Sequence, residues 1–585
     1  MLTSLKKNNV LLIIFLTAIC QIKGQKDTQK DRYITVFEES QGTETPTYSE
    51  VISFYKSLAS TFGTVTLHEI GTTDSGNPLH YAVFGAKNNT DFESIRKNKR
   101  IILINNGIHP GESDGIDATL LLFRDLAKGT ITAPKNTIIV AIPVYNIGGA
   151  LNRNSTTRTN QNGPKNYGFR GNSRNYDLNR DFIKNDTKNA QSFAQLFHLI
   201  QPDLFIDTHT SNGADYQYTL THLFTQHNKL GGALGNYLNT TLQPELEKDL
   251  AAKKWDITPY VNVWGTTPDK GWTQFMDSPR YSTGYTSLWN TLGLMIETHM
   301  LKPYKQRVLG TYEILASLLA ITEKEGVKMR ELKNQAFEAY AKATSYPVRW
   351  EVDSTQHTKI QFKGYEAKHP MSQFTGGKRL KYFQDQPYKK EVTYYNYFKT
   401  AATVTVPKAY IIPQGWWTIM ELLELNDIKF KILEKDTTIA VEVYHINDYN
   451  TRTAPYEGHY LHYDTQLKTS KETVTFSKGD YLVHTDQKGF RYLLETLEPE
   501  AVDSFFNWNF FDAILQQKEG FSAYVWEDKA QELLSENTAL AKEFTEMKKD
   551  TAFAKNSYKQ LDWLHKKSPN YEKAHLRYPV YRLLD

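Results

Sequence analysis

The stretch IILINNGIHPGESDGIDATLLLFR, residues 101–124, sets the reading of the whole chain. Its opening run, Ile101-Ile102-Leu103-Ile104, is short, unbroken and rich in β-branched residues, the pattern of a strand buried on both faces. Asn105-Asn106-Gly107 ends the run. His109 and Glu112 follow, with Pro110 and Gly111 forcing a tight turn between them. Leu120, Leu121 and Phe123 then give a following helix one apolar side. A strand end that throws an imidazole and a carboxylate into one turn can hold zinc, which accepts His nitrogen and Glu oxygen together. The chain has 16 His, so about one such pair arises by chance. Taken alone, the pair is a weak signal, and a solvated loop with an incidental acid is the competing reading.

The flanking sequence adds weight. Thr47-Tyr-Ser-Glu50 is a capping box that starts a helix to Phe62. Residues 64–70 and 79–84 read as strands joined by a turn, and 137–144 as another. Residues 193–200 and 305–324 read as helices. Strands alternating with helices point to an α/β sheet covered by helices. Residues 203–208 form a strand ending at His209, and 292–296 a strand ending at Glu297. Three strand ends therefore present His109 with Glu112, His209, and Glu297. Open α/β sheets gather ligands outside the carboxyl ends of their strands. Between them lies a long irregular segment, 146–174, rich in Asn, Gly, Thr and Arg, and long loops in compact domains are usually functional or disordered.

These residues resemble the zinc metallocarboxypeptidase family, the carboxypeptidase A-like peptidases, over roughly residues 48–323. The resemblance implies a mixed, largely parallel central sheet flanked by helices, followed by a smaller C-terminal α/β or β-rich accessory domain. In HPGE it makes His109 and Glu112 the first two metal ligands, with His209 the third and one Zn2+ per chain. The segment FRGNSRNYDLNRDF, residues 169–182, is its strongest single match. There Asn179 and Arg180 match the pair that grips the free carboxylate of a peptide substrate, a task suited to a guanidinium fork. Arg170 matches the arginine that polarises the scissile carbonyl, and Asp177 the carboxylate that orients the first metal histidine. Glu297, in LGLMIETH, matches the general base. The family's mobile tyrosine falls on Tyr281 or Tyr285, with spacing favouring Tyr285. Many members carry Arg where Gly111 stands.

Composition narrows the class. A formal charge of +4 over 585 residues, with no long basic block, does not point to nucleic acid. Lys6 and Lys7 precede an apolar run, Val10 to Ile19, about half the ~20 residues a membrane span needs. This is the layout of a signal peptide with Gly24 as its last residue, and hence of a secreted or periplasmic protein without a transmembrane segment in its mature form. The only cysteine, Cys20, lies inside the leader; Ile19 argues against a lipid anchor there. The mature chain then has neither disulfides nor a cysteine nucleophile. The expected organisation is a leader over 1–24, a catalytic domain over 25–345 and an accessory region over 346–585, with the family resemblance ending near Ser345. Residues 409–433 read as strand, helix, strand, and the aromatic run from Phe505 as core. The expected activity is removal of the C-terminal residue from a peptide with a free carboxylate. An amidase or cell-wall peptide hydrolase using the same zinc site is the alternative enzyme, and an inactive peptidase-fold binding protein the alternative outside enzymes. Arg280 could select acidic side chains or form a structural ion pair.

Overall fold

The computed structural model describes residues 33–86 and 89–584; the leader expected over 1–24, with Cys20, lies outside them. The strands of the first half are β1 (Val65–Ile70), β2 (Leu79–Phe84), β3 (Arg100–Asn105), β4 (Thr137–Ile142), β5 (Leu204–Ser211), β6 (Leu220–Phe224), β7 (Ile257–Pro259), β8 (Trp272–Thr273) and β9 (Leu292–His299). All but β8 form one sheet, in the order β1-β2-β4-β3-β5-β9-β6-β7. The central block β4, β3, β5 and β9 is parallel. β1 against β2, β2 against β4 and β6 against β9 are antiparallel. The sheet is thus mixed and largely parallel, as expected.

Alternation along β3 and β4 divides the core. Ile102, Ile104, Ile139 and Ala141 pack with the helices Tyr48–Thr61, Asp114–Lys128 and Tyr304–Tyr340. Ile101, Leu103, Ile138 and Val140 pack on the other face with the helix Lys188–Ile200. Both faces being covered is why these strands read as unbroken apolar runs. The capping box forms: Thr47 N–H donates to Glu50 Oε2 at 2.7 Å, and Glu50 N–H returns a bond to Thr47 Oγ1 at 3.4 Å. The last helix departs from expectation. It runs on past 324 to Tyr340, because Met329 and Lys333 are also buried. The Lys333 ammonium is held there by the carbonyl of Pro202 and the hydroxyl of Thr291.

The second half is β-rich. Ser345–Val352 pairs with Phe398–Thr405, and Thr358–Lys368 with Lys381–Tyr395, which also takes β8 as a neighbour. A six-stranded sheet follows, built on the long antiparallel pair Thr437–Thr451 and His462–Phe476. Residues 409–433 form the strand Ala409–Ile412, the helix Trp417–Leu425 and the strand Lys431–Ile432, as read from the sequence. Phe505, Phe506, Trp508 and Phe511 are fully buried.

One apolar cluster spans residue 345. It joins Phe193, Phe197, Tyr285 and Trp289 of the first half to Phe490, Tyr492 and Phe505 of the second. Trp289 and Tyr492 lie 5.2 Å apart, centroid to centroid. The buried Arg491 crosses the same boundary, donating to the carbonyls of Ser287 and Lys229 at 2.9 and 2.8 Å. A chain truncated after Thr344 would expose this aromatic face to water. It is expected to aggregate or lose cooperative thermal unfolding, read by size-exclusion chromatography and circular dichroism. A soluble fragment that melts as sharply as the parent would show that the shared core is dispensable.

Candidate metal centre

His109 and Glu112 stand in the turn between β3 and the helix Asp114–Lys128. His209 and Glu297 are partners in register across β5 and β9, so their side chains leave the sheet on the same side. Neither lies beyond its strand, as the sequence led us to expect; the strands run on to Ser211 and His299. The ladder continues because the polar residues that follow are satisfied. Thr210 and Thr298 both donate to Asp114 Oδ2, at 2.7 and 2.5 Å. Asp114 in turn pairs with the buried Arg307, whose Nε lies 3.1 Å away. Arg307 also donates to the carbonyls of Asn162, Lys302 and Gly163. It therefore ties the floor of the site to two loops.

One ligand atom each of His109, Glu112 and His209 lies within 4.8 Å of the others, and all three residues are buried. Each imidazole is turned by a carboxylate behind it. His109 Nε2 lies 2.8 Å from Asp177 Oδ1, and His209 Nε2 lies 2.9 Å from Asp207 Oδ2. Both Nδ1 atoms then face Glu112, at 3.3 Å from Oε1 and 3.1 Å from Oε2. His109 Nδ1 is buried without a hydrogen-bond partner. An orphaned imidazole nitrogen, a second one beside it and a carboxylate between them fit zinc, with the backing carboxylates fixing both tautomers. The electrostatics agree. Burial alone would raise Glu112, but the charges of His109 and Arg158 outweigh it and hold this carboxylate well below its usual range. Burial likewise opposes a charge on His209, yet Asp207 and Glu112 raise it well above the usual histidine range. The site favours positive charge, which a dication supplies.

Glu297 borders the same cavity, of about 510 Å³. Burial is the largest influence on it. Helped by the negative charges of Glu112 and Asp207 and opposed by the positive charge of His209, burial pushes its pKa up to about 8. A dication nearby lowers that value. Arg170, Asn179 and Arg180 line the cavity as well. Arg170 reaches Asp177 Oδ2 with Nε at 3.0 Å, and the Arg180 guanidinium lies 4.6 Å from the centre of the Tyr281 ring. Asp177 therefore serves His109 and Arg170 together.

Tyr285, favoured by spacing, is not at the site. It is fully buried, and its hydroxyl donates to Asn426 at 2.6 Å. The one-turn difference matters because the short helix Ser282–Thr286 points Tyr285 into the shared core, whereas Tyr281, just before it, lines the cavity. Arg280 forms a structural pair: its Nε and Nη2 meet Asp503 Oδ1 at 2.8 and 2.7 Å. Sequence reading missed Arg158. Its Nη1 lies 3.0 Å from Glu112 Oε1, and it lines the cavity. A Cβ on Gly111 would come 2.5 Å from Arg158 Cδ. Glycine at 111 thus makes room for an arginine from another loop.

The zinc carboxypeptidase family profile matches residues 51–205. That span includes His109, Glu112, Arg170, Asn179 and Arg180 and stops short of His209 and Glu297. Two fungal proteins are similar over a longer stretch. Carboxypeptidase 2 of Trichophyton rubrum is 23% identical over 490 residues, 80% of this chain and 84% of its own length. A probable carboxypeptidase 2 of Arthroderma benhamiae is 22% identical over 485 residues, 79% and 86% respectively. These matches are too long to stop near Ser345, so the likeness to these two proteins extends into the second half. A solved metallo-carboxypeptidase from Burkholderia cenocepacia overlays 47% of this chain and 69% of its own at 14% identity, with a TM-score of 0.36. The profile match, the similarity to these carboxypeptidases and the fit of the ligand set to the metal show that the chain carries a zinc carboxypeptidase domain and is a zinc metallopeptidase.

Proposed function

We propose that the protein is a secreted carboxypeptidase that removes the last residue of peptides bearing a free C-terminal carboxylate. The observation that carries this reading is the convergence of three arginines, Arg158, Arg170 and Arg180, on the cavity that holds the metal triad and Glu297. A cationic wall beside a hydrolytic centre suits a substrate that brings its own carboxylate. Secretion rests on the charged, apolar and polar order of residues 1–24. Among the described residues, no helix is long and apolar enough to cross a membrane.

His109, Glu112 and His209 would hold zinc, which when bound supplies Lewis-acid activation of water and of the scissile carbonyl. The remaining work falls to the chain. Asn179 and Arg180 hold the terminal carboxylate and so bring the last peptide bond to the centre. Arg170 and Arg158 offer guanidinium donors to the carbonyl oxygen as negative charge develops on it. Glu297 takes a proton from the attacking water and hands it to the leaving amine. Tyr281 takes the tyrosine role in place of Tyr285, through its position beside Arg180.

Substitutions, substrate analogues and a pH profile test this scheme. His209→Ala should lose most bound zinc and all measurable turnover, since three ligands are the minimum for a catalytic site; stoichiometric zinc with activity would remove His209 from the ligand set. Arg180→Ala should weaken substrate binding by about 1.5–3 kcal/mol, the usual worth of a charged hydrogen bond. The parent should reject peptides amidated at the C-terminus, and equal cleavage of free-acid and amidated peptides would sink the exopeptidase reading. Glu297→Gln should lower kcat by roughly 10²–10⁴-fold while zinc stays bound. A base works only when deprotonated, so parental activity should rise with pH through the Glu297 pKa, at a midpoint below about 8 once zinc is bound. In Glu297→Gln that rising limb should disappear. Near-parental kcat would place the base elsewhere.

A further inference from the structure

A two-residue turn of the C-terminal half meets the loop that carries the substrate-facing side chains. Tyr456 N–H donates to His459 O at 2.7 Å, and His459 N–H returns a bond at 3.1 Å. Glu457 and Gly458 are left as the central residues, with φ of 50° and 81°. Turns with two positive φ values take Asn-Gly, Asp-Gly or Gly-Gly. Gly458 fits that rule, and a Cβ there would run into the Tyr176 hydroxyl. Glu457 breaks it, because a Cβ-bearing residue of this kind is strained in the left-handed region.

What Glu457 does there is specific. Its Oε2 accepts the N–H of Asp177 at 2.8 Å. Two residues on, His459 Nε2 meets Asp186 Oδ2 at 2.7 Å, the same oxygen that Lys184 Nζ reaches at 2.6 Å. The turn thus grips residues 177–186 at both ends, and Asn179 and Arg180 lie between. Asp177 carries the contact inward: its Oδ1 meets His109 Nε2 at 2.8 Å and accepts Asn179 N–H at 3.0 Å. Positive φ is unfavourable, and it is accepted at the residue whose side chain holds the Asp177 amide. Strain that persists at such a point marks a functional constraint.

We propose that Glu457 is a positioning residue of the metal centre: by holding the Asp177 amide it sets the carboxylate that turns His109, so the C-terminal half tunes zinc affinity in the first half. This rests on His109, Glu112 and His209 being the zinc ligands.

The test uses the full chain with Glu457 changed to Gly, Asn or Gln, zinc affinity measured by chelator competition and melting temperature measured without metal. Glu457→Gly relieves the positive φ. Its metal-free Tm should equal or exceed the parent's, while its zinc Kd rises about tenfold, the lower end of the usual effect of losing an outer partner of a metal ligand. Glu457→Asn also tolerates positive φ but is too short to reach Asp177, and it should behave alike; it decides the matter if the glycine variant folds poorly. Glu457→Gln keeps an acceptor oxygen and should stay close to the parent. Parental zinc Kd in both Glu457→Gly and Glu457→Asn overturns the proposal. So does a Glu457→Gln variant as weak as Glu457→Gly, or a metal-free Tm that falls in step with zinc affinity. None of these readings depends on turnover. A parent that binds zinc but leaves peptides intact defeats only the carboxypeptidase reading, and a parent that binds no zinc defeats both.

Discussion

Two imidazoles have to offer the same nitrogen to one carboxylate, and the rest of the structure is arranged around that demand. An imidazole ring can turn about its bonds, and only a partner on the far nitrogen selects one orientation and one tautomer. Asp177 does this for His109 and Asp207 for His209. Asp207 is itself held, by the Ser282 hydroxyl at 2.5 Å. The two backing carboxylates come from different layers. Asp207 stands two residues before His209 on β5, whereas Asp177 sits on the long loop after β4. Sheet and loop must both be in place before the three ligands can converge.

Such a concentration of charge is expensive to bury, and the structure meets the cost with pairing rather than exposure. Asp114 and Arg307 lie beneath the ligands with exposures of 2% and 0%. Their contacts reach Thr210 on β5, Thr298 on β9 and the loops at 162–163 and 300–302. This polar floor lets β5 and β9 extend past His209 and Glu297 without orphaned groups. It also gives those two residues the rigid register that loops would not.

The second half of the chain is joined to the first by apolar burial and by polar contacts that end at the site. The aromatic cluster around Trp289, Tyr285 and Tyr492 supplies the adhesion. Asp503 then fixes Arg280, next to Tyr281, and the turn at Glu457 fixes Asp177, close to Asn179 and Arg180. Both margins of the cavity therefore lean on residues after 345. A region that reads in sequence as an appendage braces the residues beside the wall.

The sequence by itself determined the parts governed by local pattern. Apolar runs marked β3, β5 and β9, the first with HPGE at its end and the others with His209 and Glu297 at theirs; the Thr47–Glu50 box marked its helix, and FRGNSRNYDLNRDF marked Arg170, Asn179 and Arg180, which line the same cavity. Those features are legible because period, capping and residue chemistry act over a few neighbours. Tertiary structure alone decided which of two tyrosines faces the cavity, since Tyr281 and Tyr285 are about one helical turn apart and only packing separates their directions. It decided that Arg280 meets Asp503 and that Arg158 fills the room left by Gly111, contacts between residues distant in sequence. It also showed that His209 and Glu297 sit within paired strands, because the hydroxyls that sustain the ladder there are satisfied by Asp114, a partner that no local pattern near either strand identifies.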